Sequence, residues 1–135
     1  MRPISSALAV AVVATAAVTV AASPAQAGPT ISPCRLDRTV AELTSYGDVK
    51  KYNVIVYVGS AEQSSHFEKV VQRGSQMEYG CNEWEEPFNN MRTYHWVVFS
   101  GKGNFVRKGD GGYRNWAFFG VFDRVSDKKV VFHAR

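Results

Sequence analysis

RTYHWVVFSGKGNFVRKGDGGYRNWAFFGVF, residues 92–122, is the stretch whose reading decides the fold class. Arg92 to Phe99 is filled with β-branched and aromatic side chains, which suit a pleated, half-buried surface. Ser100-Gly101-Lys102-Gly103-Asn104 reads as a turn and Phe105 to Lys108 as a short strand. In Gly109-Asp110-Gly111-Gly112 the glycines supply the positive φ of a second tight turn. Tyr113 to Phe122 then reads as one long aromatic strand. Its alternating sets, Asn115/Ala117/Phe119/Val121 and Trp116/Phe118/Gly120/Phe122, are both largely apolar. Such a strand is expected to be covered on both faces, between a second sheet and a helix or loop layer. Gly120 within it marks a bend, a bulge or a close approach by a neighbour. Asp123 to Lys128 reads as a further turn and Lys129 to His133 as the last strand.

Strands at short spacing, joined by glycine-rich turns, read as an antiparallel arrangement, in meander or Greek-key order, rather than a βαβ pattern. Upstream, Tyr52 to Val58 is a strand closed by Gly59-Ser60, and Gln76 to Cys81 is a shorter one. Ser64 to Gln72 fits either a helix with Phe67, Val70 and Val71 on one face or a returning strand. Thr39-Val40-Ala41-Glu42 has the spacing of a capping box, which opens a short helix through about Ser45. Asn82 to Asn90, with Pro87, Glu83, Glu85 and Glu86, is a loop. The expected fold class is therefore all-β or β-rich α+β: a small antiparallel sandwich or partly closed barrel with one or two short helices and one disulfide.

The N-terminus bears on compartment. Met1-Arg2-Pro3 carries a positive charge, Ala7 to Ala22 is an Ala/Val-rich run, and Ala25-Gln26-Ala27 follows Ser23-Pro24. This is the layout of a cleaved export signal, with the cut expected before Gly28. A membrane anchor fits less well, because the run is short and ends in small residues rather than a basic stop. Residues 1–27 are thus read as a signal peptide and 28–135 as a single secreted β-rich domain, with no membrane span after leader removal. Lys and Arg outnumber Asp and Glu by 16 to 12 in the full chain, and Arg2 is the one charged residue that cleavage removes. The mild positive excess falls short of the dense basic stripe of a nucleic-acid binder. Lys50-Lys51, Arg107-Lys108 and Lys128-Lys129 read instead as solubility and edge-protecting pairs.

Cys34 and Cys81 are the two cysteines. An even count in an exported chain favours a disulfide, worth roughly 3–4 kcal/mol by loop closure. Neither Cys-x-x-Cys nor His-x-x-x-His occurs, and Gly109–Gly112 lacks the oxygen ladder of a calcium loop, so no metal or other cofactor is expected.

The residues that favour binding lie at the loop end of the long strand. A flexible turn delivers Asp110, Tyr113, Arg114, Asn115 and Trp116, and Trp84 and Asn89 stand in the acidic loop. Rings stack on sugars or bases while Asn, Asp and Arg fix hydroxyls or anions, the composition of many small-ligand sites. The expected function is a secreted binding protein for a glycan or an extracellular protein surface, with toxin, antimicrobial and inhibitor roles in the same group. The alternative is a small secreted hydrolase such as a ribonuclease. Its proton transfers would fall to Glu68 with His66 or His95, and its phosphate contact to Arg92 or Arg114. Catalysis is the weaker expectation, since the histidines His66, His95 and His133 match no catalytic spacing.

Overall fold

The computed structural model describes residues 28–81, 90–109 and 111–135. Among these, one helix α1 (Leu36–Thr44) precedes strands β1 (Asn53–Val58), β2 (Glu62–Phe67), β3 (Val70–Tyr79), β4 (Met91–Phe99), β5 (Gly103–Arg107), β6 (Trp116–Phe119), β7 (Phe122–Ser126) and β8 (Lys129–Phe132). One sheet has the order β3-β4-β1-β6 and the other β2-β5-β8-β7. Every pairing is antiparallel. The two sheets do not close into a barrel, so the sandwich is the form adopted.

β1 organises the layers, because all six of its residues are buried. Val54, Val56 and Val58 join Leu36, Val40, Leu43, Tyr94 and Trp96 in a cluster beneath α1. Ile55 and Tyr57 face the other way, into a ring-rich cluster with Phe99, Phe105, Trp116 and Phe132 between the sheets. Period-2 alternation thus splits one apolar run between two cores, the expected signature of a strand covered on both faces.

The capping box is not used. α1 opens at Leu36 after Arg35, which makes no side-chain cap, and Thr39 is buried within the helix. Thr39 Oγ1 instead accepts the Ser32 amide at 2.9 Å, and a Glu42 carboxylate oxygen accepts the Thr30 amide at 3.0 Å. The two side chains fasten the extended lead-in onto the helix, a tertiary use of the same hydrogen-bonding groups. The disulfide between Cys34 and Cys81 forms, with Cα atoms 4.9 Å apart, and ties this lead-in to the chain just beyond β3.

Ser64 to Gln72 is strand on both sides of a turn at Glu68 and Lys69, where Lys69 has φ 55°. The chain changes sheet there, and again between β4 and β5. The two crossings are bonded together: Glu68 N–H donates to Lys102 O at 2.9 Å, Gly101 N–H to Glu68 O at 3.1 Å and Ser100 N–H to Lys69 O at 3.0 Å.

The long strand expected over Tyr113–Phe122 is broken. Gly120 has φ 132°, and the chain leaves β6 in one sheet to enter β7 in the other. Residues 123–126, expected as a turn, continue that second strand, and the turn shrinks to Asp127 and Lys128. Trp116 and Ala117 bury the two faces of β6 at its start, but Phe119 at its end is exposed, and β6 is an edge strand while β1 and β4 hold the inner positions. The expected acidic loop, with Trp84 and Asn89, and Asp110 of the glycine turn lie outside the described residues.

Candidate functional site

The segment after the glycine turn is one hydrogen-bonded turn rather than extended chain. Gly109 and Gly112 have φ of 75° and 95°. Asn115 and Trp116 both donate their amides to Gly112 O, at 3.1 and 3.2 Å. Tyr113 O accepts the Leu36 amide at 2.8 Å, which docks this turn on the start of α1. Side chains in such a turn radiate about 100° apart, unlike the alternation of a strand. Tyr113, Arg114, Asn115 and Trp116 are therefore sent in different directions.

Tyr113 and Trp116 line a cleft of about 310 Å³ with Phe118, Phe122 and Arg124. Trp116 is its floor, only 2% exposed, whereas Tyr113 stands at the mouth, 52% exposed. The Arg124 guanidinium lies 5.3 Å from the Trp116 ring centroid and 5.8 Å from that of Phe118. Trp116, Phe118 and Phe122 meet edge to face, with centroids 5.0 and 4.8 Å apart, an arrangement suited to ring quadrupoles. Arg35 covers the Tyr113 ring at 5.6 Å and is held in a two-pronged pair with Asp37 at 2.9 and 2.7 Å. The pairing with Arg35 keeps the Asp37 carboxyl below its ordinary range. The cleft thus offers an exposed tyrosine ring, an aromatic floor and a guanidinium.

Arg114 and Asn115 line a separate hollow of about 150 Å³ with Ser60, Cys81, Asn90 and Arg92. Arg107, which the sequence offers as a surface cation, is buried at 5% exposure. Its Nε donates to Asp127 O at 2.8 Å, another of its nitrogens donates to Gly109 O, and its guanidinium lies 5.5 Å from the Trp116 ring centroid. It staples two turns beside the cleft. Phe118, Phe122 and Arg124 are lining side chains that sequence reasoning did not single out for the site. The signal was there: continuing the strand past Phe122 puts Arg124 on the same face two residues on.

The residues considered for hydrolysis do not converge on one cleft: His66 lies by Glu68, Arg92 and Arg114 share a hollow, and His95 stands apart from both. His66 Nε2 lies 3.3 Å from Glu68 on an exposed turn, and His133 Nε2 lies 2.6 Å from Asp123 near the C-terminus. His95 stacks on Tyr57 at 5.2 Å and lines a hollow of about 160 Å³ with Arg73 and Ser75. Burial, reinforced by the Glu62 charge, pushes the Tyr57 hydroxyl up to about 12. Arg92 lines the hollow at Arg114, on the opposite face of β4 from His95. Among the described residues no cluster of three or more His, Cys, Asp or Glu side chains is placed to hold a metal ion. No described helix is long and apolar enough to cross a membrane.

No family model matches the chain, and no solved structure matches it. It is similar to the stress response protein YvgO of Bacillus subtilis, with 38% identity over 96 residues. The match takes in 71% of this chain and 52% of that protein, so the chain spans about half the length of its curated relative.

Proposed function

We propose that the protein is an exported, non-catalytic binding module that takes a sugar ring of an extracellular glycan into the cleft between β6 and β7. The observation that carries this reading is the pairing of a half-exposed Tyr113 ring at the mouth with the Arg124 guanidinium over an aromatic floor. A ring face stacks on the apolar face of a pyranose, and a guanidinium bonds hydroxyls or an acidic substituent bidentately. The volume is at the lower end of small-ligand sites, which suits one ring rather than a long chain. Export is supported by the leader pattern and by the disulfide, which persists in oxidising compartments.

The test is a glycan array followed by titration calorimetry on the parent, Tyr113→Ala and Arg124→Ala. The expected result is a parent that binds a defined glycan set and two variants that lose most of that affinity while melting at the parent temperature. A parent that binds no glycan, or variants that bind like the parent, overturns the assignment.

A further inference from the structure

We infer that the cleft between β6 and β7 selects sugars that carry a carboxylate, a uronic acid rather than a neutral hexose, with Arg124 as the specificity-determining residue. The selection rests on that cleft's being a sugar site. Among the described residues that line it, Arg124 is the one charged side chain, and none is a carboxylate. Three arginines stand against the rings at this end of the sandwich, and two of them are already engaged. Arg35 forks onto Asp37. Arg107 is buried, with its nitrogens donating to Asp127 O and Gly109 O. Arg124 is exposed, and no carboxylate among the described residues forms an ion pair with it. The adjacent Asp123 alternates to the other face of β7 and pairs with His133 at 2.6 Å.

The guanidinium decides the chemistry of its partner. Arg124 lies 5.3 Å from the Trp116 ring centroid and 5.8 Å from that of Phe118. Ring contact uses the faces of a guanidinium, whereas its N–H donors lie in its plane, in a fork that matches the two oxygens of a carboxylate. Hydroxyls of a neutral sugar can accept from the same fork, but an ionised carboxylate holds it more strongly because both partners are charged. A second positive charge stands beside the same floor, since the Arg107 guanidinium lies 5.5 Å from the Trp116 centroid. Its carboxylate neighbour among the described residues is Asp127, 4.0 Å away on an 81% exposed side chain, where solvent and salt screen it. Two cations beside one indole, against a ring-rich wall of low dielectric, favour an anion over a neutral group. A carboxylate is also the most compact acidic group that a pyranose carries, which suits a cleft of about 310 Å³. The Tyr113 ring then stacks on the sugar while the carboxylate reaches Arg124.

Titration calorimetry with a matched pair of probes tests this: oligogalacturonate and its methyl ester, which share a ring and differ in charge. The parent should bind the acid about ten- to a hundredfold more tightly than the ester. Its affinity for the acid should fall as salt rises. Arg124→Gln should bring the two probes to equal affinity. Arg124→Lys, which keeps the charge and loses the fork, should restore only part of the difference. Both substitutions fall on an exposed side chain, and the salt series reads the charge on the parent without any variant. Equal binding of acid and ester by the parent, tighter binding of a sulfated galactan, or no binding of the acid overturns the selection. If neutral glycans then still bind and Tyr113→Ala abolishes that binding, the cleft stands as a sugar site and only its charge preference falls. A parent that binds no glycan of any kind removes both.

Discussion

Asn53 and Gly120 fit together as a lock between the first strand and the corner where the chain changes sheets. A Cβ at position 120 would collide with the Asn53 side-chain oxygen, and that same oxygen accepts the Val121 amide at 3.0 Å. The Asn53 amide nitrogen donates to His133 O at 2.8 Å and to Gly101 O at 3.3 Å. One buried side chain thus satisfies backbone groups from three distant segments. Asn53→Ala should cost about 2–4 kcal/mol by stranding them. Gly120→Ala should cost about 2–3 kcal/mol through strain at its φ of 132° and the clash. Urea unfolding of both variants measures this. A loss under half a kilocalorie in either would show that the corner does not depend on the lock.

The cleft separates affinity from stability. Trp116→Ala removes a ring that is 2% exposed and in contact with Phe105, and should cost about 3–5 kcal/mol. Tyr113→Ala should change stability by only about 0.5 kcal/mol while removing most ligand affinity. A melting series run beside the binding assay checks both halves. Equal destabilisation by the two variants would mean that Tyr113 serves the core.

The Cys34–Cys81 link closes a loop spanning 47 positions. Replacing both cysteines by serine should lower stability by roughly 3–4 kcal/mol, mostly by freeing the unfolded chain. The effect should be seen as a drop in denaturant midpoint with a steeper slope, because the unfolded chain without the link exposes more surface. The N-terminal residue of protein recovered outside the cell should be Gly28, which sequencing by Edman degradation reads directly.

Alkaline unfolding follows from Tyr57. Its folded value of about 12 stands above the ordinary tyrosine value of 10, chiefly because it is buried. A raised folded value gives stability that is whole below pH 10 and lost as the pH climbs towards 12. The loss should reach about 2–3 kcal/mol from this residue alone. Burial raises Tyr94 in the same direction. Tyr57→Phe should flatten the stability curve between pH 10 and 12, and an unchanged slope would remove Tyr57 as the cause.

The strand content was legible because β-branched and aromatic runs between glycine turns have few other ways to fold. Tyr52–Val58 and Arg92–Phe99 came through nearly to the residue for that reason. The break at Gly120 was marked by the glycine itself, but its depth was not, because the partner that requires it, Asn53, lies 67 positions upstream. Thr39 and Glu42 matched a local motif and were taken by tertiary partners instead. The candidate site was half legible. Tyr113 and Trp116 do share a cleft, but the single hydrogen-bonded turn that parts them from Arg114 and Asn115 depends on carbonyl and amide positions that residue types do not encode. Arg124 was hidden by reading polar residues after Phe122 as a turn.

Because β1 gives Val54, Val56 and Val58 to the cluster beneath the helix and Ile55 and Tyr57 to the cluster between the sheets, detaching either layer wets side chains of the same strand. Loosening at one surface is therefore felt at the other, and the domain should melt in a single concerted step. Amide protons of Val54 to Val58 should be the last to exchange with deuterium, released only when the entire molecule opens.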